Sequence, residues 1–171
     1  MTTALEERVS EEGIFTRLDP APYALLSTEQ QTFLNKLERF EAPYVEEKLL
    51  KDGILQSKEE YQRVFTEFKK YVALAKFYPG LRLAMPSRKV DEVWHQFILF
   101  TKQYQEFCNN FLGSYLHHIP KTSFTPGMPG NKENFVRLYQ ETFGTLQPIW
   151  EPQHHNTGCW SEDSCISCDG K

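Results

Sequence analysis

Val90-Asp-Glu-Val-Trp-His-Gln-Phe-Ile-Leu-Phe-Thr-Lys-Gln-Tyr-Gln-Glu-Phe-Cys108 reads as helix, opened by Pro86-Ser87 and closed near Gly113. Taken as one straight helix, it makes a sharp statement about chemistry. Val90, Trp94, Phe97, Thr101 and Cys108 fall on one stripe, whereas His95 falls with Asp91, Lys102 and Glu106. The rise of 1.5 Å per residue puts His95 and Cys108 about 20 Å apart. At that distance they do not share a ligand: Cys108 is a buried structural thiol and His95 a surface residue paired with Asp91 one turn back. Only a break near Phe100-Thr101 brings them to one site.

Outward from this segment the same helical grammar recurs. Ser27 and Thr28 precede Phe33, Leu34, Leu37 and Phe40 at spacings of three and four, up to Pro43. A short helical piece at 44–50 stops at Asp52-Gly53. Ser57 with Glu60 forms a capping box ahead of Tyr61, Val64, Phe65, Phe68, Tyr71, Val72 and Ala75, and Pro79-Gly80 ends that helix. Its aromatic stripe is core. Residues 81–85 form an extended connection. After Gly113 come Ser114-Tyr-Leu-His-His-Ile-Pro120 and an irregular Pro- and Gly-rich loop; Asn131 then caps a last helix with Phe135, Leu138, Tyr139 and Phe143, ended by Gly144. The fold expected is all-α, a single-domain bundle of about five helices over 1–144, with 90–108 as its central element. Residues 145–171 make an irregular tail containing Cys, His and Trp, packed on the bundle through at least one of Trp150 and Trp160.

Composition narrows the class. The 171 residues are 40% hydrophobic and 25% charged, enough apolar material for one core. The net charge of −4 gives no positive field for a phosphate backbone, so nucleic acid is not expected as a partner. No apolar run approaches the ~18 residues of a membrane span, and the N-terminus lacks the basic and apolar regions of a signal peptide, so a cytosolic protein is expected. In a reducing compartment the four cysteines are thiols or ligands rather than disulfides.

Ligand-type side chains cluster in two places, 95–118 and 154–168. In the tail, Cys165-Ile-Ser-Cys168 follows Cys159 and His154-His155. One Cys-x-x-Cys is half of a zinc site, and the absence of a strand-helix context argues against redox catalysis. A frayed, inert terminus is the competing reading.

The run Met85-Pro-Ser-Arg-Lys followed by 90–108, and then Phe111-Leu-Gly-Ser-Tyr-Leu-His-His-Ile-Pro120, resembles the glycine-rich domain-containing protein-like family over about a fifth of the chain. That family carries Val-Trp-His, a Tyr ten residues after the Trp, often a Cys four beyond it, and a His after a Gly. These fall on Val93, Trp94, His95, Tyr104, Cys108 and His118. Plant and fungal members have a second His at the place of Phe97 and Ser-Pro at the place of Phe100-Thr101. The resemblance therefore implies a helix that restarts at Phe100-Thr101, with Thr101 as its cap. With such a restart His95, Cys108 and one of the His117-His118 pair meet in a single pocket. On a straight helix His118 reaches Cys108 but not His95, because five residues from Gly113 span about 17 Å of the some 27 Å required.

Two function classes follow. The first is a small zinc-binding interaction domain with a protein partner, its ligands drawn from His95, Cys108, His118, Cys159, Cys165 and Cys168. The second is an enzyme or enzyme subunit using His95 as general base or as a ligand with an open coordination position. No carboxylate pair, nucleophile elbow, His-Glu-x-x-His or phosphate loop accompanies His95, which places binding ahead of catalysis.

Overall fold

The computed structural model describes residues 17–22, 24–119 and 131–151, together with the backbone of 165–167. The described residues form six α-helices: α1 (Thr28–Glu38), α2 (Pro43–Lys51), α3 (Lys58–Phe77), α4 (Arg88–Leu99), α5 (Thr101–Phe107) and α6 (Lys132–Phe143). Four of them start on side-chain caps, since Ser27, Ser57, Ser87 and Asn131 each accept a backbone N–H three residues on. At Ser27 the box is reciprocal through Gln30. At Ser57 it is not, because the Glu60 carboxylate accepts from the Gln56 N–H and from Lys89 on α4.

The expected all-α fold is present, but the central element is α3 rather than the segment at 90–108. Every residue from Val64 to Ala75 is buried, and α1, α2, α4 and α6 all pack on this helix. A stripe cannot explain a helix buried all round. Three charged residues within it are buried because each has found a partner: Lys70 pairs with Glu67 at 2.8 Å, and Lys69 donates to the Glu38 carbonyl at the C-terminal end of α1. Phe40, Phe65, Phe68, Phe97, Phe107 and Phe111 form a contiguous ring cluster between α1, α3, α4 and α5.

The expected break is also present. Phe100 has φ −84° and ψ 63°, outside the α region, and the helix restarts at Thr101. Thr101 is the first helical residue and not the cap. Phe100 holds the cap position without any side-chain hydrogen bond. After α5 the chain widens into a π turn, Cys108–Leu112, which ends on Gly113 at φ 77°. Lys36 of α1 and Lys76 of α3 donate to the Asn110 and Leu112 carbonyls that this turn leaves open.

Two short strands were not anticipated. β1 (His117–Ile119) pairs antiparallel with β2 (Cys165–Ser167), so the tail is not wholly irregular. Trp150, in a 3-10 turn at Pro148–Trp150, is buried as expected. Trp160, His154, His155, Cys159 and Cys168 lie outside the described residues, as does the loop at 120–130. Among the described residues no helix is long and apolar enough to cross a membrane.

Candidate functional site

Ser87 fixes the register of α4, and Val90, Val93, Trp94 and Phe97 turn its apolar face toward α3. Asp91 and His95, one turn apart, therefore share a neighbouring face that is half-buried. Asp91 Oδ2 and His95 Nε2 are 3.6 Å apart.

The third member arrives from β1, and a buried brace delivers it. Trp94 Nε1–H donates to the Tyr104 hydroxyl at 2.8 Å, and that hydroxyl donates to the Leu116 carbonyl at 2.5 Å. One phenol on α5 thus ties α4 to the residue just before β1. Burial holds the Tyr104 phenol well above the ordinary tyrosine range, keeping it a donor. From Leu116 the strand runs back along α4, and His118 meets Asp91 with Nε2 2.7 Å from Oδ1. Its ring stands edge-on to Trp94 and 4.4 Å, centroid to centroid, from the ring of His95. Asp91, His95 and His118 each offer a ligand atom, and these lie within 4.8 Å of one another. The His118 side chain is 6% exposed and that of His95 43%, so the group is closed on one side and open to solvent on the other.

His95 and His118, singled out from the sequence, are brought together. Cys108 is not part of their group. It is fully buried, and its thiol lies against the Tyr104 hydroxyl and the backbone of Leu116. Burial pushes that thiol up, so it is no thiolate and serves the brace. The backbone of Cys165 lies in β2 opposite Ile119. Asp91 had been read only as a surface partner of His95. The signal for it was the Asp-x-x-x-His spacing, which puts both side chains on one helix face.

A model of the UCP032817-like family matches residues 29–142, two thirds of the chain, and the chain belongs to that family. This overturns the likeness to the glycine-rich domain-containing protein-like family, which rested on a fifth of the chain. No curated protein and no solved structure matches the chain.

Proposed function

We propose that this member of the UCP032817-like family is a metal-binding helical interaction domain, with Asp91, His95 and His118 as ligands of a zinc ion. One observation carries the reading: two imidazoles and a carboxylate, contributed by one helix and one strand, converge within 4.8 Å. Zinc takes nitrogen and carboxylate oxygen at about 2.0 to 2.2 Å, so tetrahedral ligands stand about 3.3 to 3.5 Å apart. The 3.6 Å between Asp91 Oδ2 and His95 nearly matches this, and the 2.7 Å between Asp91 Oδ1 and His118 has to open by about 0.6 to 0.8 Å. Three protein ligands leave a fourth position on the exposed His95 side, where water or a side chain of a protein partner completes the shell.

Metal analysis of untagged protein, dialysed against zinc and then against buffer, tests this. Asp91→Ala and His118→Ala each remove one equivalent. If both variants retain the wild-type metal content, the three residues are a hydrogen-bonded strut and the reading is wrong.

The exposure of His95 favours one alternative, an enzyme or enzyme subunit. Three ligands and an open position are also the arrangement of a hydrolytic zinc centre, in which the metal supplies hydroxide near neutral pH. Under that reading the zinc-loaded protein hydrolyses an activated ester and His95→Ala abolishes the rate. Equal rates for the two proteins leave the binding reading alone.

A further inference from the structure

We infer that zinc at the site of Asp91, His95 and His118 is a clamp on β1: the filled site holds the strand docked on α4, and the empty site lets it open. The inference rests on the metal-binding reading proposed above and adds the regulation of that site. The ligands are divided between two elements. Asp91 and His95 stand one turn apart on α4, whereas His118 comes from β1. An ion that needs all three is held only while the strand is docked. A ligand that binds one of two states shifts the equilibrium toward that state by its differential affinity, so zinc pulls the strand onto the helix.

β1 is an element that such a ligand can control. It is three residues long, its ladder to β2 has three residue pairs, and an isolated two-stranded ribbon is marginal in water. Its order therefore depends on its ties to the helices. These run through Leu116, whose carbonyl accepts from the Tyr104 hydroxyl, and through His118, which meets Asp91 at 2.7 Å with its ring edge-on to Trp94. The opposite side is open: Tyr115 and Ile119 are each 36% exposed, and His117 is exposed as well. Gly113, at φ 77° with nothing within 4 Å of where a Cβ would stand, gives the segment a pivot at its start. The other half of the site is fixed, because Val90, Val93, Trp94 and Phe97 bury the apolar face of α4. Opening of the strand thus takes away His118 and leaves Asp91 and His95 in place.

Amide hydrogen exchange of the full-length untagged chain, with and without zinc and with metal content measured on the same samples, tests this. With free zinc at about 100 times its dissociation constant, exchange of the amides at 116–119 is expected to slow by up to about 100-fold. The loop at 52–56, whose local opening leaves the site intact, is the internal reference and is expected not to change. His95→Ala keeps the bond between Asp91 and His118, so without zinc it is expected to exchange at 116–119 as the wild type does, and to lose the slowing by zinc. Zinc bound to the wild type with no slowing at 116–119 overturns the clamp and leaves the proposed function standing. Equal slowing at 52–56 overturns it too, since zinc would then act on the chain as a whole, and so does full slowing in His95→Ala, which would place the ion elsewhere. A wild type that binds no zinc overturns both the clamp and the function.

Discussion

Tyr104 joins three parts of the fold through one hydroxyl. Its hydroxyl joins Trp94 to Leu116, and Leu116 leads into the strand that carries His118. Tyr104→Phe keeps the ring but leaves a buried indole N–H and a buried carbonyl without their partner, which costs on the order of 1 to 3 kcal/mol. Urea unfolding is expected to show that loss, and zinc affinity at the Asp91 site is expected to fall as well because the strand is no longer pinned. A stability loss with unchanged zinc affinity would show that the brace does not position His118. Lys69 offers a test by pH. Burial pushes its ammonium down to about 8, while an unfolded chain keeps that proton to about 10.4. Between those values the unfolded state binds more protons, so stability rises with pH; below about pH 8 the penalty is fully present. Relative to Lys69→Met, the wild type should gain on the order of 2 kcal/mol between about pH 8 and pH 10. The lost bond to the Glu38 carbonyl offsets the two curves by a constant and leaves this slope as the readout.

At the scale of the element, the decisive feature is the path from Phe100 to Ile119. The break at Phe100 and the wider π turn at 108–112 together turn α5 so that a short excursion through Gly113 brings the chain back along α4. Gly113 closes that turn at φ 77°, with nothing within 4 Å of where a Cβ would stand. Gly113→Ala therefore costs backbone strain without a clash, on the order of 1 kcal/mol. A melting curve unchanged within error would show that the turn relaxes to another conformation. The helices themselves were legible in the sequence, because a capping side chain and an apolar period are local. β1 was not: Leu-His-His-Ile before a proline has no alternation to read, and the strand exists through a ladder to residues some fifty positions away.

At the scale of the whole molecule, the turn at Pro148–Trp150 is part of the core. Trp150 fills a slot made by Tyr71, Phe135 and Tyr139, and its Nε1–H donates to Glu67 Oε2 at 2.6 Å. The same oxygen accepts from the Tyr139 hydroxyl at 2.7 Å, and the other oxygen holds Lys70. Deleting everything after Gly144 removes a fully buried indole and one of the donors to a buried carboxylate. That combination should cost roughly 3 to 5 kcal/mol and lower Tm by several degrees. A truncated chain that melts with the full-length protein would show that residues 145–151 are dispensable. Trp150→Phe separates the parts, since it keeps most of the packing and loses only the donor, on the order of 1 to 3 kcal/mol.

By itself the sequence determined what is local: helix boundaries from Ser27, Ser57, Ser87 and Asn131, the apolar stripes, the closing glycines, and the need to bury at least one of Trp150 and Trp160. It also marked His95 and His118. Tertiary structure alone decided that these two meet, because their approach depends on a strand 27 residues beyond Asp91, held through a phenol on a different helix. Cys108 shows the same limit from the other side. Its place on the stripe of Val90, Trp94 and Phe97 offered a buried structural thiol as one reading and a metal ligand as the other, and only the tertiary structure decided for burial. The centre of the fold was hidden for a related reason: Glu67, Lys69 and Lys70 look like a solvated face until their hydrogen-bond and ion-pair partners, some of them distant in the chain, are in place.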